Sequence, residues 1–243
     1  MYIKVKRVLD ILISSIVMVI LAIPMAIIAV IVKIDSEGPI IYKQQRIGKD
    51  GKTFFIYKFR TMIVHQEMKE KHLNHKQMVT KVGKFLRKTS LDELPQIFNV
   101  LKGEMSLVGP RPWIKEYYDC FTKEQKERCN VLPGITGLAQ IKGRNGITIF
   151  DKIRYDREYV RKISFKLDVI IALWTIKTIG NEKNAEISEA GIQEELQELK
   201  EYKLNRIKII EEISKEQEER EDLLENMKNM VEKTSGYTYR EVI

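Results

Sequence analysis

The amino-terminal part of the chain is dominated by one apolar run. Val8–Val32 carries a single charged residue, Asp10, and is about 25 residues long, enough to cross the hydrocarbon core of a bilayer. It is too long for the apolar region of a secretory signal peptide, and no small-residue cleavage site follows it. The pattern therefore predicts a membrane anchor over residues 1–36.

Pro24 leaves two arrangements of this anchor open. It lies past the middle of the run, where a proline removes a backbone hydrogen bond and kinks a helix. Basic residues flank both ends of the run, so the tendency of positive charge to stay in the cytoplasm favours neither end. The run fits a kinked helix that spans the membrane, and it equally fits a re-entrant helix-break-helix hairpin.

Two short segments after the anchor have the composition of strands. Residues 40–42 and 54–57 are rich in isoleucine, phenylalanine and tyrosine, and Gly48–Gly51 between them carries the glycines of a turn. This predicts a β-hairpin, with Lys58 and Arg60 at the end of its second strand. A basic edge strand that resists aggregation explains the same charges.

Polar residues introduce the next apolar segment, within residues 87–112. Ser90 precedes Asp92 and Glu93, and Ser90 with Glu93 three residues on fits a capping box. The pattern predicts a helix whose first turn carries two adjacent carboxylates. Pro95 is awkward inside that helix, so we expect either a kink there or a helix start one or two residues later.

Cations surround these two carboxylates in the sequence. Arg87 lies just upstream, and Arg111 follows within a Pro-Arg-Pro turn. Acidic groups flanked by cations, with a rigidly placed arginine nearby, suit magnesium-assisted phosphate chemistry. A capped helix with ordinary surface ion pairs explains the same spacing, so the residues alone leave both interpretations open.

A second segment with possible phosphate chemistry runs from Pro133 to Ile141. Gly134 and Gly137 in a short loop would let backbone N–H groups approach a phosphate, although a Pro-Gly pair also marks any ordinary turn. Arg144 follows this loop and adds a positive charge.

The remaining segments are predicted to be helical. We expect a mixed helix over Trp113–Asn130 and another over Phe150–Ile163. Val169–Ile179 is apolar but too short to span a bilayer, which predicts a core or interfacial helix with Asp168 just before it. From Ile192 to Lys233 apolar residues recur three to four apart among many charges, which predicts an amphipathic helix or short coiled coil.

Composition narrows the class of partner. The net charge of +8 indicates an anionic partner: nucleic acid, anionic lipid or a nucleotide. Nucleic-acid binding would need interleaved basic and aromatic residues, and Lys58-Phe59-Arg60 is the one candidate, so we expect no nucleic acid as partner. The lack of a Walker motif or Gly-x-Gly-x-x-Gly fingerprint argues against an ATPase or a Rossmann oxidoreductase.

Three motifs resemble those of a known family. The segment Ser90–Pro112, SLDELPQIFNVLKGEMSLVGPRP, looks like the core signature of bacterial sugar transferases, the monotopic phosphoglycosyl transferases. Lys58–Met62 (KFRTM) and Pro133–Gln140 (PGITGLAQ) resemble two further elements of that family. The resemblance extends from about Lys6 to about Thr178.

This chain departs from the family pattern at two positions. The break in the family's anchor is usually Ser-Pro, whereas Ile23 precedes Pro24 here. The family commonly has an arginine where this chain has Leu132, so the basic contact would have to come from elsewhere, with Arg144 as a candidate.

The resemblance implies a fold and a location. The fold class is α/β, in a monotopic membrane protein whose re-entrant anchor covers residues 1–36. A small mixed catalytic domain with a β-hairpin and amphipathic interfacial helices is expected over 37–180, and a C-terminal helical extension over 181–243. The expected location is the inner, cytoplasmic membrane, with the catalytic domain on the cytoplasmic face.

The resemblance also implies a reaction. The expected activity transfers a sugar 1-phosphate from a UDP-sugar to undecaprenyl phosphate and releases UMP, as the first membrane step of a surface polysaccharide or glycoconjugate pathway. Asp92 is the expected nucleophile, through a phosphosugar-aspartyl intermediate, and Glu93 together with Asp92 is expected to hold Mg²⁺. The candidate substrate-binding residues are Lys58, Arg87, Pro110, Arg111, Gly134, Thr136, Gly137, Arg144 and Asp168.

An alternative function gives the extension the main role. The chain would then be a membrane-tethered interaction protein that acts through its C-terminal helix. In either case we expect this helix to serve homo-oligomerisation or binding of a partner protein. Truncation between residues 180 and 190 is therefore expected to leave the chemistry largely intact.

Overall fold

The computed structural model describes residues 2–63, 78–143, 146–178 and 189–235. The chain forms two compact units, Met1–Glu195 and Leu196–Ile243. The helices described are α1 (Tyr2–Asp35), α2 (Lys81–Thr89), α3 (Gln96–Lys102), α4 (Lys115–Cys120), α5 (Leu138–Lys142), α6 (Ile149–Lys162), α7 (Phe165–Thr178) and α8 (Glu189–Ser235). The strands are β1 (Ile41–Ile47), β2 (Thr53–Phe59), β3 (Ser106–Val108) and β4 (Gly134–Thr136).

The predicted anchor is the long helix α1. It has 34 residues, and its assignment continues through Pro24. Its length and composition are sufficient to cross a membrane. Most of its apolar side chains are exposed, among them Ile23 at 74 %, which means that the described part of the chain does not cover this surface.

The first turns of α1 are bonded to the folded part of the chain. Arg7 donates to the carbonyls of Val100 and Leu101 at the end of α3, at 2.6 and 3.0 Å. Asp10 accepts hydrogen bonds from the Ser106 hydroxyl at 2.7 Å and from the Leu107 N–H at 3.2 Å. A buried carboxylate in an apolar helix requires such partners, and here they come from β3.

The last turns of α1 pack against the same unit. Val32 is buried with Phe59 of β2 and Leu86 of α2. Arg60 donates to the carbonyls of Val32 and Ser36 at the C-terminal end of α1. The last carbonyls of a helix lack intrahelical partners, so a cation at this end is favourable.

The predicted β-hairpin is confirmed. β1 and β2 are antiparallel, with Ile41 opposite Phe59 and Ile47 opposite Thr53, so both strands are longer than the sequence indicated. The turn between them places Asp50 and Gly51 at positive φ, of 56° and 75°, and the second of these favours glycine.

The predicted capping box is wrong. Ser90 ends α2 in the left-handed conformation, with φ of 59°, and its side chain caps no helix. Leu91–Glu93 is a separate 3₁₀ turn, and α3 begins only at Gln96, after Pro95. The proline decides this boundary, as its lack of an N–H is tolerated at a helix start but not inside the helix.

A short parallel sheet was not predicted. β3 pairs with β4, in the register Ser106 with Gly134 and Val108 with Thr136. The segment Pro133–Ile141, expected to be a loop, therefore contributes a strand and helix α5. Three-residue strands carry too little periodicity to be recognised in a sequence.

The helices after β3 cover this sheet. Val108, Leu138, Tyr159 and Ile171 form a buried cluster that joins β3, α5, α6 and α7. The helix expected over Phe150–Ile163 is confirmed as α6, whereas the helix expected over 113–130 is only the short α4 followed by a 3₁₀ turn.

The C-terminal extension is helical, as predicted. α8 runs for 47 residues. The compact first unit includes its first turns, up to Glu195, and the second unit holds the remainder.

Candidate active site

Four of the predicted residues meet in one cluster. Lys58 of β2 donates to Glu93 Oε1 at 2.8 Å, and Arg111 donates to the same oxygen at 2.9 Å. Lys58 Nζ also lies 3.8 Å from Asp92 Oδ2. Asp92 is only 5 % exposed and the side chain of Glu93 17 %, so one buried and one half-buried carboxylate lie beside two cations.

An asparagine fixes the strand that carries Lys58. Asn99 of α3 accepts from the N–H of Tyr57 at 3.1 Å and donates to the carbonyl of Phe55 at 2.7 Å. It also donates to Glu104 at 2.7 Å. These bonds tie β2 to α3, so the amine of Lys58 is set at a fixed distance from the turn that carries Asp92 and Glu93.

The two carboxylates have different electrostatic roles. Burial by itself would raise the pKa of Glu93, but the charges of Arg111 and Lys58 and their hydrogen bonds hold it well below its usual range. Glu93 is therefore ionised at neutral pH and is engaged by both cations. Asp92 lies beside this network at a distance from Lys58 that is too long for a hydrogen bond.

A buried arginine positions the backbone of Arg111. Arg128 donates to the Arg111 carbonyl at 2.6 Å and to Asp156 Oδ2 at 2.6 and 3.0 Å. Its guanidinium also lies over the ring of Trp113, 4.3 Å from the centroid. Arg128 and Asp156 are 3 % and 1 % exposed, so this pair forms a rigid support behind the site.

Arg46 adds a further positive charge near the cluster. Tyr42 of β1 is directly opposite Lys58, and Arg46 lies four residues further along β1. Since side chains an even number of residues apart share a face of a strand, Arg46 and Lys58 belong to the same face of the hairpin. Burial and then the charge of Arg111 lower its pKa to about 10. Its Nε is buried and has no hydrogen-bond partner among the described residues.

The motif around Lys58 is explained residue by residue. Lys58 enters the cluster, Phe59 enters the core and Arg60 caps α1. Thr61 accepts a hydrogen bond at 2.8 Å from Arg87 of α2. Arg87 was predicted to bind substrate, and in this structure its Nε bonds to the protein. Its expected contact with phosphate stays a prediction.

The glycines of the second motif serve close backbone packing. The N–H of Gly134 donates to the Pro110 carbonyl at 2.9 Å, so in this structure it is not directed at a ligand. A Cβ on Gly134 would lie 2.1 Å from the N atom of Gly109, and one on Gly137 would lie 2.1 Å from the Gly109 oxygen. The spacing of the motif is thus required by the β3–β4 contact, and phosphate binding by these residues stays a prediction.

Two other predicted residues, Thr136 and Asp168, lie apart from these contacts. The hydroxyl of Thr136 pairs with that of Thr175 at 2.6 Å. Asp168 accepts from Tyr2, Lys6 and Tyr159 at 2.6 to 2.7 Å, which fastens the start of α1 to α7. Arg144 lies outside the described residues.

The cluster offers two carboxylates to a metal ion. No group of three or more histidine, cysteine or acidic residues suited to a metal occurs in the part of the chain that the structure describes. Mg²⁺ needs fewer, because it commonly keeps several waters and binds one or two carboxylates together with substrate phosphates. Asp92 and an ionised Glu93 fit that requirement.

Comparison with known families decides the relationship. The family model described as bacterial sugar transferase matches residues 1–182. The chain belongs to this family. The match includes every residue of the cluster around Glu93 and ends before α8.

Several relatives of this family member are named proteins. The galactosyl transferase CpsE of Streptococcus agalactiae is 47 % identical over 156 residues, covering 58 % of this chain and 35 % of the relative. The uncharacterized sugar transferase EpsL of Bacillus subtilis is 45 % identical over 149 residues, covering 61 % and 74 %. The UDP-glucose:undecaprenyl-phosphate glucose-1-phosphate transferase of Klebsiella pneumoniae is 45 % identical over 182 residues, covering 70 % and 39 %. The chain thus spans well under half the length of the first and third relatives.

Sequence reasoning missed the supporting residues of the transferase site. Arg46, Arg128 and Asp156 belong to no motif that the sequence analysis used, and Asn99 lies inside the Ser90–Pro112 motif but was given no role there. Asn99 is a polar residue inside an apolar run, which is a signal that could have indicated a buried hydrogen-bonding role. Arg128 and Asp156 lie in ordinary charged segments, and only the fold brings them together.

Proposed function

We propose that this chain transfers a sugar 1-phosphate from a UDP-sugar to undecaprenyl phosphate and releases UMP. The observation that carries the proposal is the cluster itself, in which Glu93 accepts from both Lys58 and Arg111 and the buried carboxylate of Asp92 lies 3.8 Å from the Lys58 amine. Relatives are named for this class of reaction, including the enzyme of Klebsiella pneumoniae and an undecaprenyl-phosphate galactose phosphotransferase of Salmonella typhimurium.

In the first step Asp92 acts as a nucleophile. A carboxylate oxygen attacks the phosphorus that bears the sugar, and the bond between that phosphorus and the bridging oxygen of UMP breaks. UMP leaves with the electron pair, and the sugar phosphate stays on Asp92 as an acyl phosphate. Arg111 and Lys58 would bind phosphate oxygens, since charge-assisted hydrogen bonds to phosphate are strong and, for arginine, directional.

In the second step the lipid phosphate is the nucleophile. An oxygen of undecaprenyl phosphate attacks the phosphorus of the acyl phosphate, and the bond to Asp92 breaks. The carboxylate of Asp92 is thereby regenerated, and the product is the lipid-linked sugar diphosphate.

Mg²⁺ is part of this proposal as a resident ion. Glu93, Asp92 and the diphosphate of the substrate would bind the ion. When bound, Mg²⁺ would offset the negative charge on the phosphate oxygens. The low pKa of Glu93 supports this assignment, because a ligating carboxylate must be deprotonated.

We further propose that α1 is a re-entrant anchor. If α1 were straight, Arg7 and Val32 would lie about 38 Å apart, because a helix rises 1.5 Å per residue. Yet Arg7 bonds to Val100, and Val32 belongs to a cluster against which Leu94 packs. Leu94 and Val100 are only six residues apart in the chain, so the two ends of α1 contact neighbouring parts of the protein. A bend near Pro24 reconciles these contacts and leaves both ends of the helix on one face of the membrane.

The same face would carry an interfacial helix. Apolar side chains of α7 are exposed, with Phe165 at one end and Trp174 near the other. Lys166 and Lys177 lie near its two ends, as expected of a helix at the level of the lipid headgroups. With the positive net charge, this supports a position on the cytoplasmic face of the inner membrane.

The experiment that tests the proposed function uses the full chain in membranes. With a panel of UDP-sugars and without polyprenyl phosphate, we expect about one equivalent of UMP per enzyme and a protein mass increased by one sugar phosphate, as a covalent intermediate requires. Asp92→Asn should show neither. UMP release only when both substrates are present, without an adduct, would mean direct transfer, and no release with any UDP-sugar would refute the function.

A further inference from the structure

The first turns of α8 make buried contacts within the first unit. Glu195 accepts a hydrogen bond from Lys152 of α6 at 2.6 Å and another from the hydroxyl of Tyr117 of α4 at 2.7 Å. Both partners are buried, at 8 % and 7 % exposure. A buried amine and a buried phenol would both lose this acceptor if the carboxylate were removed, which is costly.

A short series of contacts leads from Glu195 to the active site. The ring of Tyr117 packs edge-on against that of Trp113, with centroids 5.0 Å apart. The guanidinium of Arg128 lies over the ring of Trp113, 4.3 Å from its centroid, and donates to the carbonyl of Arg111. Arg111 in turn binds Glu93 at 2.9 Å.

The position of Glu195 in the chain is informative. The family match ends at residue 182, and the predicted domain boundary lies at 180, but the compact unit that holds the site continues to Glu195. Burial and the hydrogen bond to Glu195 raise the pKa of Tyr117, so its hydroxyl stays protonated and remains a donor.

We propose that Glu195 is a positioning residue for Arg111: by holding Tyr117, it sets the Trp113–Arg128 stack that fixes the Arg111 backbone. The start of α8 is then part of the catalytic unit, and the rest of α8 is not required for this role. The inference rests on the proposed function, since Arg111 is assigned there to the phosphate oxygens. It also opposes the expectation that truncation between residues 180 and 190 is harmless.

The test compares Glu195→Ala with two other variants of the full chain in membranes. We expect Glu195→Ala to lower kcat/KM for UMP release on the order of tenfold, because small displacements of a positioned group have effects of this size or larger. Glu195→Gln should recover most of the activity, since an amide oxygen can still accept from Tyr117. The exposed neighbour Glu194 provides the matched control, and Glu194→Ala should leave the rate unchanged.

A double-mutant cycle separates positioning from general destabilisation. If Glu195 acts through Arg111, Glu195→Ala should lower kcat/KM less than twofold in an Arg111→Lys background, because coupled residues are not additive. Equal losses in both backgrounds, or no loss in either, would overturn the proposal. If Glu195→Ala fails to fold, Tyr117→Phe removes the same hydrogen bond and takes its place in the cycle.

A readout that does not depend on catalysis keeps the two proposals distinguishable. In a Trp174→Phe background Trp113 is the remaining tryptophan, and Glu195→Ala should shift its emission while Glu194→Ala should not. An inactive wild-type protein with this emission shift would refute the proposed function and leave the contact series intact. An active wild-type protein with neither shift nor rate loss would refute the role of Glu195 alone.

Discussion

The buried pair of Arg128 and Asp156 gives a quantitative prediction. Asp156→Asn removes the negative charge but keeps the shape of the side chain, so Arg128 stays buried without a counter-ion. The pair is almost inaccessible and its shorter hydrogen bond is 2.6 Å long. Breaking such a pair by removing one partner costs about 3–5 kcal/mol.

The loss should be measurable as a change in melting temperature. For a protein of this size each kcal/mol lowers Tm by about 2–4 °C, so we expect a decrease of about 6–20 °C. Thermal unfolding of the purified protein in detergent, followed by tryptophan fluorescence, would measure it. The matched control is Glu127→Gln, which breaks an ion pair with Arg157 that is much more accessible to solvent and should lower Tm far less.

A double variant separates stability from activity in this pair. Arg128→Met with Asp156→Leu replaces both charges by apolar groups, which is often neutral for stability. Tm should recover, but UMP release should not, because the carbonyl of Arg111 has lost its donor. A decrease of less than about 2 °C in Asp156→Asn, corresponding to about 1 kcal/mol or less, would refute the reasoning. Full activity in the stable double variant would show that Arg128 does not position Arg111.

Three further predictions follow from the site and the anchor. The difference in free energy of unfolding between the wild type and Glu93→Gln should be constant from pH 8 to pH 5 and decrease only in stronger acid. The reason is that the pKa of Glu93 is lowered in the folded protein, so Glu93 stays ionised until the pH falls towards that pKa. Denaturant titrations at each pH would measure this difference, and a decrease already near pH 6 would contradict the prediction. Arg46→Gln should raise KM for the UDP-sugar on the order of tenfold with little change in kcat, because we expect the guanidinium of Arg46 to form a charge-assisted hydrogen bond to a phosphate oxygen; kinetics over a range of UDP-sugar concentrations would measure this, and an unchanged KM would contradict it. Cysteines at Tyr2 and Ser36 should both resist a membrane-impermeant reagent in intact cells; labelling of only one of them would indicate a span.

The sequence predicted the elements whose pattern is long or chemically distinctive. α1, the hairpin, α6 and α8 follow from sustained periodicity or an apolar run, and the cluster of Lys58 with Asp92 follows from motifs. The boundary at Ser90 was wrong because the same residues fit a helix start and a left-handed helix end, and the position of Pro95 decides between them.

Other parts could not be predicted, for physical reasons. The pairing of β3 with β4 depends on close backbone contacts at Gly109 and Gly134, which no periodicity records. The bonds of Arg128 to Asp156 join residues 28 positions apart, and the choice of partner is made by the packing of α6. Long-range polar contacts of this kind depend on the whole fold.

The contacts of α1 bear on the design of a water-soluble form. Deleting the helix would leave the carbonyls of Val100 and Leu101 without the guanidinium of Arg7, and Asp168 without the amine of Lys6. It would also remove the carboxylate of Asp10 that accepts a hydrogen bond from Ser106 of β3. Shortening only the stretch between the two bonded ends would keep these partners, so the exposed apolar middle of the helix is the segment to redesign.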